Sequence, residues 1–500
     1  MKLEGFPEEL RTRLLPAPSG RMVYGCLGCG RDFPADALLY TCPACGSVFL
    51  LRDLDEARLA ETPGEEWRRL FDHRRMLNHP GLKGVGLFQE FLCPVIPLED
   101  MVYLGEGHTP LVEAGSVLAG RVGARFFFKN DGQNPSASFK DRGMAVALSF
   151  INHLARRKGR RDILSVCAST GDTSAAAALY AAYLSGIVKS AVLLPQGKVT
   201  PQQLSQPLGS GAQVFELPGV FDDCMKVVEH LADHYDVALL NSKNAWRVLG
   251  QESYSFEIAQ AFDWEIKDLA LFVPIGNAGN ITAVLSGLLK FERYGVTDGL
   301  PLVFGVQSAH ADPVFRYYAQ PPEQRKYRPV TVRPSVAQAA MIGNPVSMPR
   351  VLRLVEEYEK RAGGPRFFVV QVEEQEIMDS MLLANRHGFV ACTQGGESLA
   401  GLRQALAEGR LEPGRTAVLD STAHALKFAE FQNRYFQDDL GPEFEIRPRE
   451  ELKNRPRTVS PAGLSRLPRP GVELTPDEHR AFVQAAAAEI ARILGLTARS

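Results

Sequence analysis

The sequence predicts an α/β fold: two lobes of open, mainly parallel sheet with helices on both faces, carrying a small N-terminal metal ribbon. Three observations point there. Strand, glycine-bearing turn and alanine-rich helix follow one another twice, at 163–186 and 269–307. Four cysteines fall within twenty residues, in the pattern C-x2-C-x12-C-x2-C. The chain has 500 residues, more than one compact domain usually holds, with 45% apolar and 23% charged side chains. That composition builds a sizeable core. It excludes a chain disordered throughout, collagen and a disulfide-dense mini-protein.

Read in order, the N-terminus MKLEGFPEELRTRLLPAPSG has no apolar stretch of the kind a secretory signal needs. The ribbon is expected over 20–52. Cys26 and Cys29, then Cys42 and Cys45, place paired thiolates on two tight turns, and Gly30 and Gly46 follow each pair. Four thiolates suit a tetrahedral metal, above all zinc, and leave no open position, so the site reads as structural. The alternative for these four is disulfide or simple structural cysteine. Cys93, Cys167, Cys224 and Cys392 are isolated and read as small buried hydrophobes.

A polar stretch at 53–78, rich in Arg and Glu, reads as a linker helix within a helical bridge to about residue 100. From 101 to 440 the texture is that of βαβ units. ILSVCA (163–168) is an expected strand, and AAAALYAAYLSG (175–186) a helix ending at Gly186. LALFVP (269–274) is a second strand, ITAVLSGLLK (281–290) its helix, and PLVFGVQ (301–307) the next strand. Six prolines between Pro442 and Pro470 make 441–474 an extended arm. Thr475-Pro476-Asp477-Glu478 then carries a capping-box signature for a helix running to about Gly495.

Three elements carry chemistry. Lys140 lies in NPSASFKDRG just before an alanine-bearing helical segment (144–150). A helix N-terminus disfavours the ammonium and so favours the neutral amine a Schiff base requires. On spacing alone, a solvated surface lysine is the commoner outcome. Ser169-Thr170-Gly171-Asp172-Thr173-Ser174 puts hydroxyls at a strand-to-helix turn, where backbone N–H groups attract anions. Gly276-Asn277-Ala278-Gly279-Asn280 is a second such turn, open to close approach by a phosphate.

In this order the three segments resemble threonine synthases, pyridoxal-phosphate enzymes of the tryptophan-synthase-β fold type. NPSASFKDRG is similar to their NPTGSFKDRG, and GEGHTPL (105–111) to GEGxTPL. STGDTSAAA resembles their SGDTG loop, and GVFDDC (219–224) the GxFDDC stretch. Asn241-Ser-Lys-Asn244, with Arg247, Gln251 and Tyr254, resembles NSxN…R…Q..Y. GNAGN resembles GNxGN, and STAHALKF (421–428) resembles STAHPAKF. The matches span 105 to 428, about two-thirds of the chain, and leave out the ribbon and the arm.

The resemblance implies roles. Lys140 would hold pyridoxal 5'-phosphate and shuttle protons between substrate carbons. Gly276, Asn277, Ala278, Gly279 and Asn280 would cradle the cofactor phosphate, Thr422 would meet the pyridine nitrogen, and Asp172 would lie near the ring 3′-oxygen. Ser138, Ser169, Thr170, Thr173 and Asn241 would hold substrate. Arg247 would clamp its phosphate, with an ordinary surface arginine as the alternative. The implied reaction turns O-phospho-L-homoserine and water into L-threonine and phosphate. Another lyase or replacement enzyme of the same fold type, such as a serine or threonine dehydratase or a cysteate-synthase-like enzyme, is the alternative. A catalytically silent binding protein is a third.

Several positions depart from the family pattern. Ser136 stands for Thr, Ala137 for Gly, Ala425 for Pro and Leu426 for a small residue, and Lys243 replaces an apolar one. Glu397 and Ser398 lie in a somewhat different string from that of relatives. None removes a reactive group, but Ala137 adds a methyl beside the lysine. The expected partner is a small phosphorylated amino acid. With 56 basic and 58 acidic residues the formal charge is −2, which gives no overall basic footprint for nucleic acid. No eighteen-residue apolar run suggests a membrane span. A cytoplasmic homodimer is expected, as relatives of this fold type are commonly dimers.

Overall fold

The computed structural model describes residues 1–169, 171–196, 201–219, 221–235 and 237–497. It divides into two units, Met1–Arg447 and Pro448–Ser500.

The first unit opens with the cysteine ribbon. Strand β1 (Met22–Cys26) pairs antiparallel with β2 (Asp32–Pro34) and β3 (Phe49–Asp53), in the order β2-β1-β3. Gly30 and Gly46 both take φ +71°, the left-handed value that lets each knuckle turn back. Their amides donate to the carbonyls of Cys26 and Cys42.

The bridge is less of a spacer than its polarity predicts. A 3-10 segment (Glu56–Glu61) leads to an α-helix over Gly64–Met76, and the helix buries Trp67, Leu70, Phe71 and Arg74. The spacing i, i+3, i+4, i+7 puts these four on one stripe. Phe71 stacks on Phe291 and meets Phe88 and Phe91 edge-on. The Arg and Glu residues that dominate the composition occupy most of the other face.

Two sheets follow. The larger holds β4 (Leu111–Glu113), β5 (Phe126–Asn130), β10 (Leu269–Pro274), β11 (Leu302–Ser308), β12 (Phe367–Val372) and β13 (Thr416–Ser421). Its order is β12-β11-β10-β13-β5-β4, parallel except at β4. The smaller holds β6 (Ile163–Ala168), β7 (Val188–Pro195), β8 (Gln213–Leu217) and β9 (Val237–Leu239). It is parallel throughout, in the order β8-β7-β6-β9. β10 is buried at all six positions, as a strand covered on both faces must be. This is the expected two-lobed α/β architecture. The helix after β6 starts earlier than the alanine run, at Asp172, and ends at Tyr183 rather than Gly186.

Lys140 opens a 19-residue helix, Lys140–Lys158. This helix packs closely on the helix Ala245–Gln251. A Cβ on Gly143 would lie 2.7 Å from the Arg247 carbonyl oxygen, and one on Gly250 would lie 2.3 Å from that of Arg142. Only glycine permits that approach, and it draws Arg247 toward the start of the Lys140 helix.

In the second unit a helix spans Pro476–Leu494 and buries none of its residues. The Thr475 hydroxyl accepts from the Glu478 amide, and the Glu478 carboxylate accepts from the Thr475 amide. Gly495 closes the helix at φ +63°. The capping box is therefore formed as its sequence predicts.

Candidate active site

Two loops set the position of Lys140. The Phe139 amide donates to the Thr422 carbonyl (2.9 Å), and the His424 amide donates to that of Ala137 (3.1 Å). Ser138 and Ala423 form an antiparallel bridge between them. Lys140 and Thr422, 282 residues apart, thus flank one short piece of pairing. Ala137 holds φ +64°, a conformation that costs a non-glycine residue about 1–2 kcal/mol. Ser138 is fully buried, and its hydroxyl has no hydrogen-bond partner among the described residues.

Lys140 is half-buried. Burial, with the nearby Arg247 guanidinium acting in the same direction, pulls its pKa down to about 7, against the opposing charges of Asp172 and Asp420. At neutral pH much of this amine is uncharged and nucleophilic, as covalent attachment of a carbonyl cofactor requires. A pH dependence follows. Cofactor-free protein is expected to take up pyridoxal phosphate faster as pH rises through about 7, with a plateau above, rather than rising on toward 10.5. Visible absorbance after mixing, from pH 6 to 9, checks this.

The turn Gly276–Asn280 joins β10 to the helix Gly279–Arg293. Ala278 sits at φ +60° as its N-cap and contributes no capping side chain. The opening amides of this helix therefore have no side-chain cap, and the helix dipole adds to their pull on an anion. A Cβ on Gly279 would meet nothing nearer than 3.9 Å, so the turn is open on that side. Its nearest neighbours there are Gln251 and Ser242, from the segment expected to hold substrate. The Asn280 side chain donates to Asp420 Oδ2 (2.7 Å), tying the turn to β13 just before Thr422.

At the end of β6, the Asn241 side chain exchanges two hydrogen bonds with the Ala168 backbone. The Ser169 hydroxyl accepts from the Gly171 amide, and Ser169 and Thr173 are half-buried. Thr170 lies outside the described residues, as does Val220 of the FDDC stretch. Asp172 is buried and pairs with Lys427 Nζ at 2.9 Å. Arg247 is no surface residue: it is 2% exposed and donates to the Leu240 carbonyl at 2.6 Å, while its Nε has no partner among the described residues. Burial lowers its pKa to about 10, although it remains charged at neutral pH.

Three features had no role assigned from sequence. Lys427 bridges Asp172 and the Ser136 carbonyl. Cys392 caps the helix Thr393–Ala407 and brings its sulfur to 3.6 Å from the Thr422 hydroxyl. Most extensive is a buried ion network behind Lys140. Arg142 binds both oxygens of Asp131 and both of Glu257, and Lys129 shares Glu257. The only signal for it was the Asp-Arg pair that follows the lysine.

These surroundings fit pyridoxal phosphate: an amine largely uncharged just above neutral pH, an open uncapped turn and buried polar atoms on Ser138, Arg247 and Asp420 that have no partner among the described residues. Away from this site, Cys26, Cys29, Cys42 and Cys45 bring their sulfurs within 4.8 Å of one another. The Cys26–Cys45 and Cys29–Cys42 separations are 3.4 and 3.7 Å. Thiolates around a tetrahedral ion with bonds of about 2.3 Å sit about 3.8 Å apart. The four could hold one metal ion. All eight cysteines are free.

Fold and site together define a pyridoxal-phosphate-dependent enzyme, and the family of that description matches residues 102–421. The chain is 35% identical over 408 residues to a threonine synthase of Methanocaldococcus jannaschii, covering 81% of this chain and 93% of that one. It is 34% identical to the chloroplastic threonine synthase 2 of Arabidopsis thaliana, covering 77% and 73%. The crystal structure of Escherichia coli threonine synthase superposes with a TM-score of 0.61 at 20% identity, covering 85% of this chain and 94% of that one. The chain belongs to the threonine synthase family, and it is a pyridoxal-phosphate-dependent lyase.

Proposed function

We propose that this chain converts O-phospho-L-homoserine and water into L-threonine and phosphate. The observation that carries the reading is the pairing of the Lys140 loop with the Thr422 loop beside an open, uncapped GNAGN turn. It stands in a chain 35% identical to a threonine synthase over four-fifths of its length.

Pyridoxal phosphate, when bound, supplies an electron sink for negative charge on the substrate carbons. The protein's part is binding, orientation and proton movement. Amides of Gly276 to Asn280 would hold the cofactor phosphate. Thr422, a neutral hydroxyl, would meet the pyridine nitrogen without favouring its protonation. Asp172, anchored by Lys427, would serve the ring oxygen. Lys140 would hold the cofactor at rest. Once released, its amine would take one proton from Cα and one from Cβ, the phosphate would leave with the electron pair of the Cγ–O bond, and a proton would then be given to Cγ. Water would add its oxygen at Cβ and give up a proton, so that the two remaining protons go to Cα and to the departed phosphate. Ser138, Ser169, Thr170, Thr173 and Asn241 orient the amino acid. Arg247, charged and with an Nε unpartnered among the described residues, attracts the phosphate through a buried medium of low dielectric.

The four cysteines hold zinc as a structural ion, supported by their sulfur geometry and all-thiolate set. A cytoplasmic homodimer belongs to the same reading and rests on the resemblance alone. Among the described residues no helix is long and apolar enough to cross a membrane.

Inorganic phosphate released from O-phospho-L-homoserine, with threonine identified by chromatography, tests the assignment. Protein that binds the cofactor and deaminates serine or threonine, yet frees no phosphate from this substrate, would instead be a dehydratase of the same fold.

A further inference from the structure

Arg350 is fully buried, and no carboxylate is among its hydrogen-bond partners within the described residues. A cation in that position is costly unless its donors are satisfied. Here they are shared among three segments. Nε donates to the Phe49 carbonyl in the cysteine ribbon (2.7 Å). The terminal nitrogens donate to the carbonyls of Ser242 and Lys243 and to the Ser347 hydroxyl, each at 2.9 Å. The Ser347 amide in turn donates to the Asn277 carbonyl, in the turn expected to hold the cofactor phosphate. A planar guanidinium fixes all these partners in one geometry, which a lysine cannot do.

The ribbon end of this chain sits on the metal site. Phe49 is the cross-strand partner of Cys26. A second tie starts two residues before Cys26, where the Tyr24 hydroxyl accepts from Trp246 Nε1 (3.0 Å) and donates to the Ala37 carbonyl (2.9 Å). Trp246 adjoins Arg247 and stacks on Phe150 of the Lys140 helix, with ring centroids 4.1 Å apart and planes 14° from parallel. Both ties begin beside a cysteine and end on residues 242–246.

We propose that Arg350 is a positioning residue through which the metal-bound ribbon braces the segment 241–247 and the GNAGN turn, so that losing the metal loosens the cofactor site. Phe49 and Tyr24 pack into the core of the body, but Cys29 and Cys45 are exposed, so the two knuckles have little besides metal to hold them together. Metal loss loosens the strand pairing of Cys26 with Phe49, the Phe49 anchor of Arg350 weakens, and both segments it braces gain freedom. The inference rests on reading the four cysteines as a metal site and the body as a cofactor enzyme.

The test reads cofactor release from holoenzyme without substrate, so it stands even if the substrate assignment fails. Chelator treatment of the native protein is expected to speed release about tenfold, the low end of what outer-shell changes cost a site. Metal-loaded Arg350→Lys should release about as fast, and chelating it should add only the few-fold that the remaining Tyr24 tie carries, because the Arg350 path is already cut. Release unaffected by chelation overturns the proposal, and so does a full further tenfold in chelated Arg350→Lys. Should that variant fail to fold, Tyr24→Phe deletes a single hydroxyl and leaves the ring in place. With metal bound it should speed release at least about twofold, and unchanged release overturns the coupling.

Discussion

Replacing Lys140 with alanine is expected to abolish the visible absorbance of lysine-bound cofactor and to lower turnover by at least about 10³-fold, the range for losing a positioned proton-transfer group. The loss is chemical rather than structural. Lys140 is half-buried, and no hydrogen bond among the described residues ends on its amine, which lies over the Phe139 ring at 3.7 Å from its centroid. Alanine is also the best helix former. Thermal unfolding of cofactor-free Lys140→Ala should therefore match that of the cofactor-free parent within a few degrees. Borohydride reduction followed by peptide mapping gives the direct check: the native protein carries the label on Lys140, and the variant carries none. A variant that keeps both absorbance and turnover would remove Lys140 from the chemistry.

How far the sequence led differs by kind of feature. Strands at 163–168 and 269–274 were legible to the residue because each is a short apolar run between a break and a glycine-bearing turn. Both glycine turns lie where strand meets helix, and the capping box of the last helix was readable from four residues. What could not be read was convergence. Nothing local to residues 136–140 says that they pair with 422–424, or that Arg142 faces a glutamate 115 residues away. Motif resemblance suggested the first as shared chemistry, not as geometry. The bridge at 53–78 misled because composition averages over both faces of a helix, whereas four residues on one stripe decide its packing. Arg350 lay outside every motif, since three of its four partners are backbone carbonyls and a carbonyl leaves no mark in sequence.

Arg142→Leu is expected to destabilise the fold by about 3–5 kcal/mol, seen as a lower urea midpoint, because it strands two carboxylates that are almost wholly buried. Glu257 would then keep its ion pair with Lys129, and Asp131 the hydrogen bond from the Thr109 hydroxyl. Lysine at 142 should rescue only part of this, since one ammonium cannot grip both carboxylates bidentately. The pH dependence separates Glu257 from the rest. Burial alone would raise its carboxyl, but Arg142 and Lys129 outweigh burial and hold it well below the usual 4.5. A depressed carboxylate contributes stability in full above its unfolded value and loses it as pH falls through the folded one. The stability gap between native protein and Glu257→Gln should thus persist from neutral pH to about 4.5 and close below that. A gap that closes already between pH 7 and 5 would mean the pair is not ionised in the fold. Apolar replacement of the whole network would cost less than breaking it, so stability alone does not explain its presence. Its geometry does: Arg142 stands two residues after Lys140 and is gripped by Asp131 at the end of β5 and by Glu257 in the helix Ser253–Ala261. A packed apolar patch could let the Lys140 helix slide or rotate against both. Bidentate ion pairs to two elements fix one register, and with it the direction in which the reactive amine points.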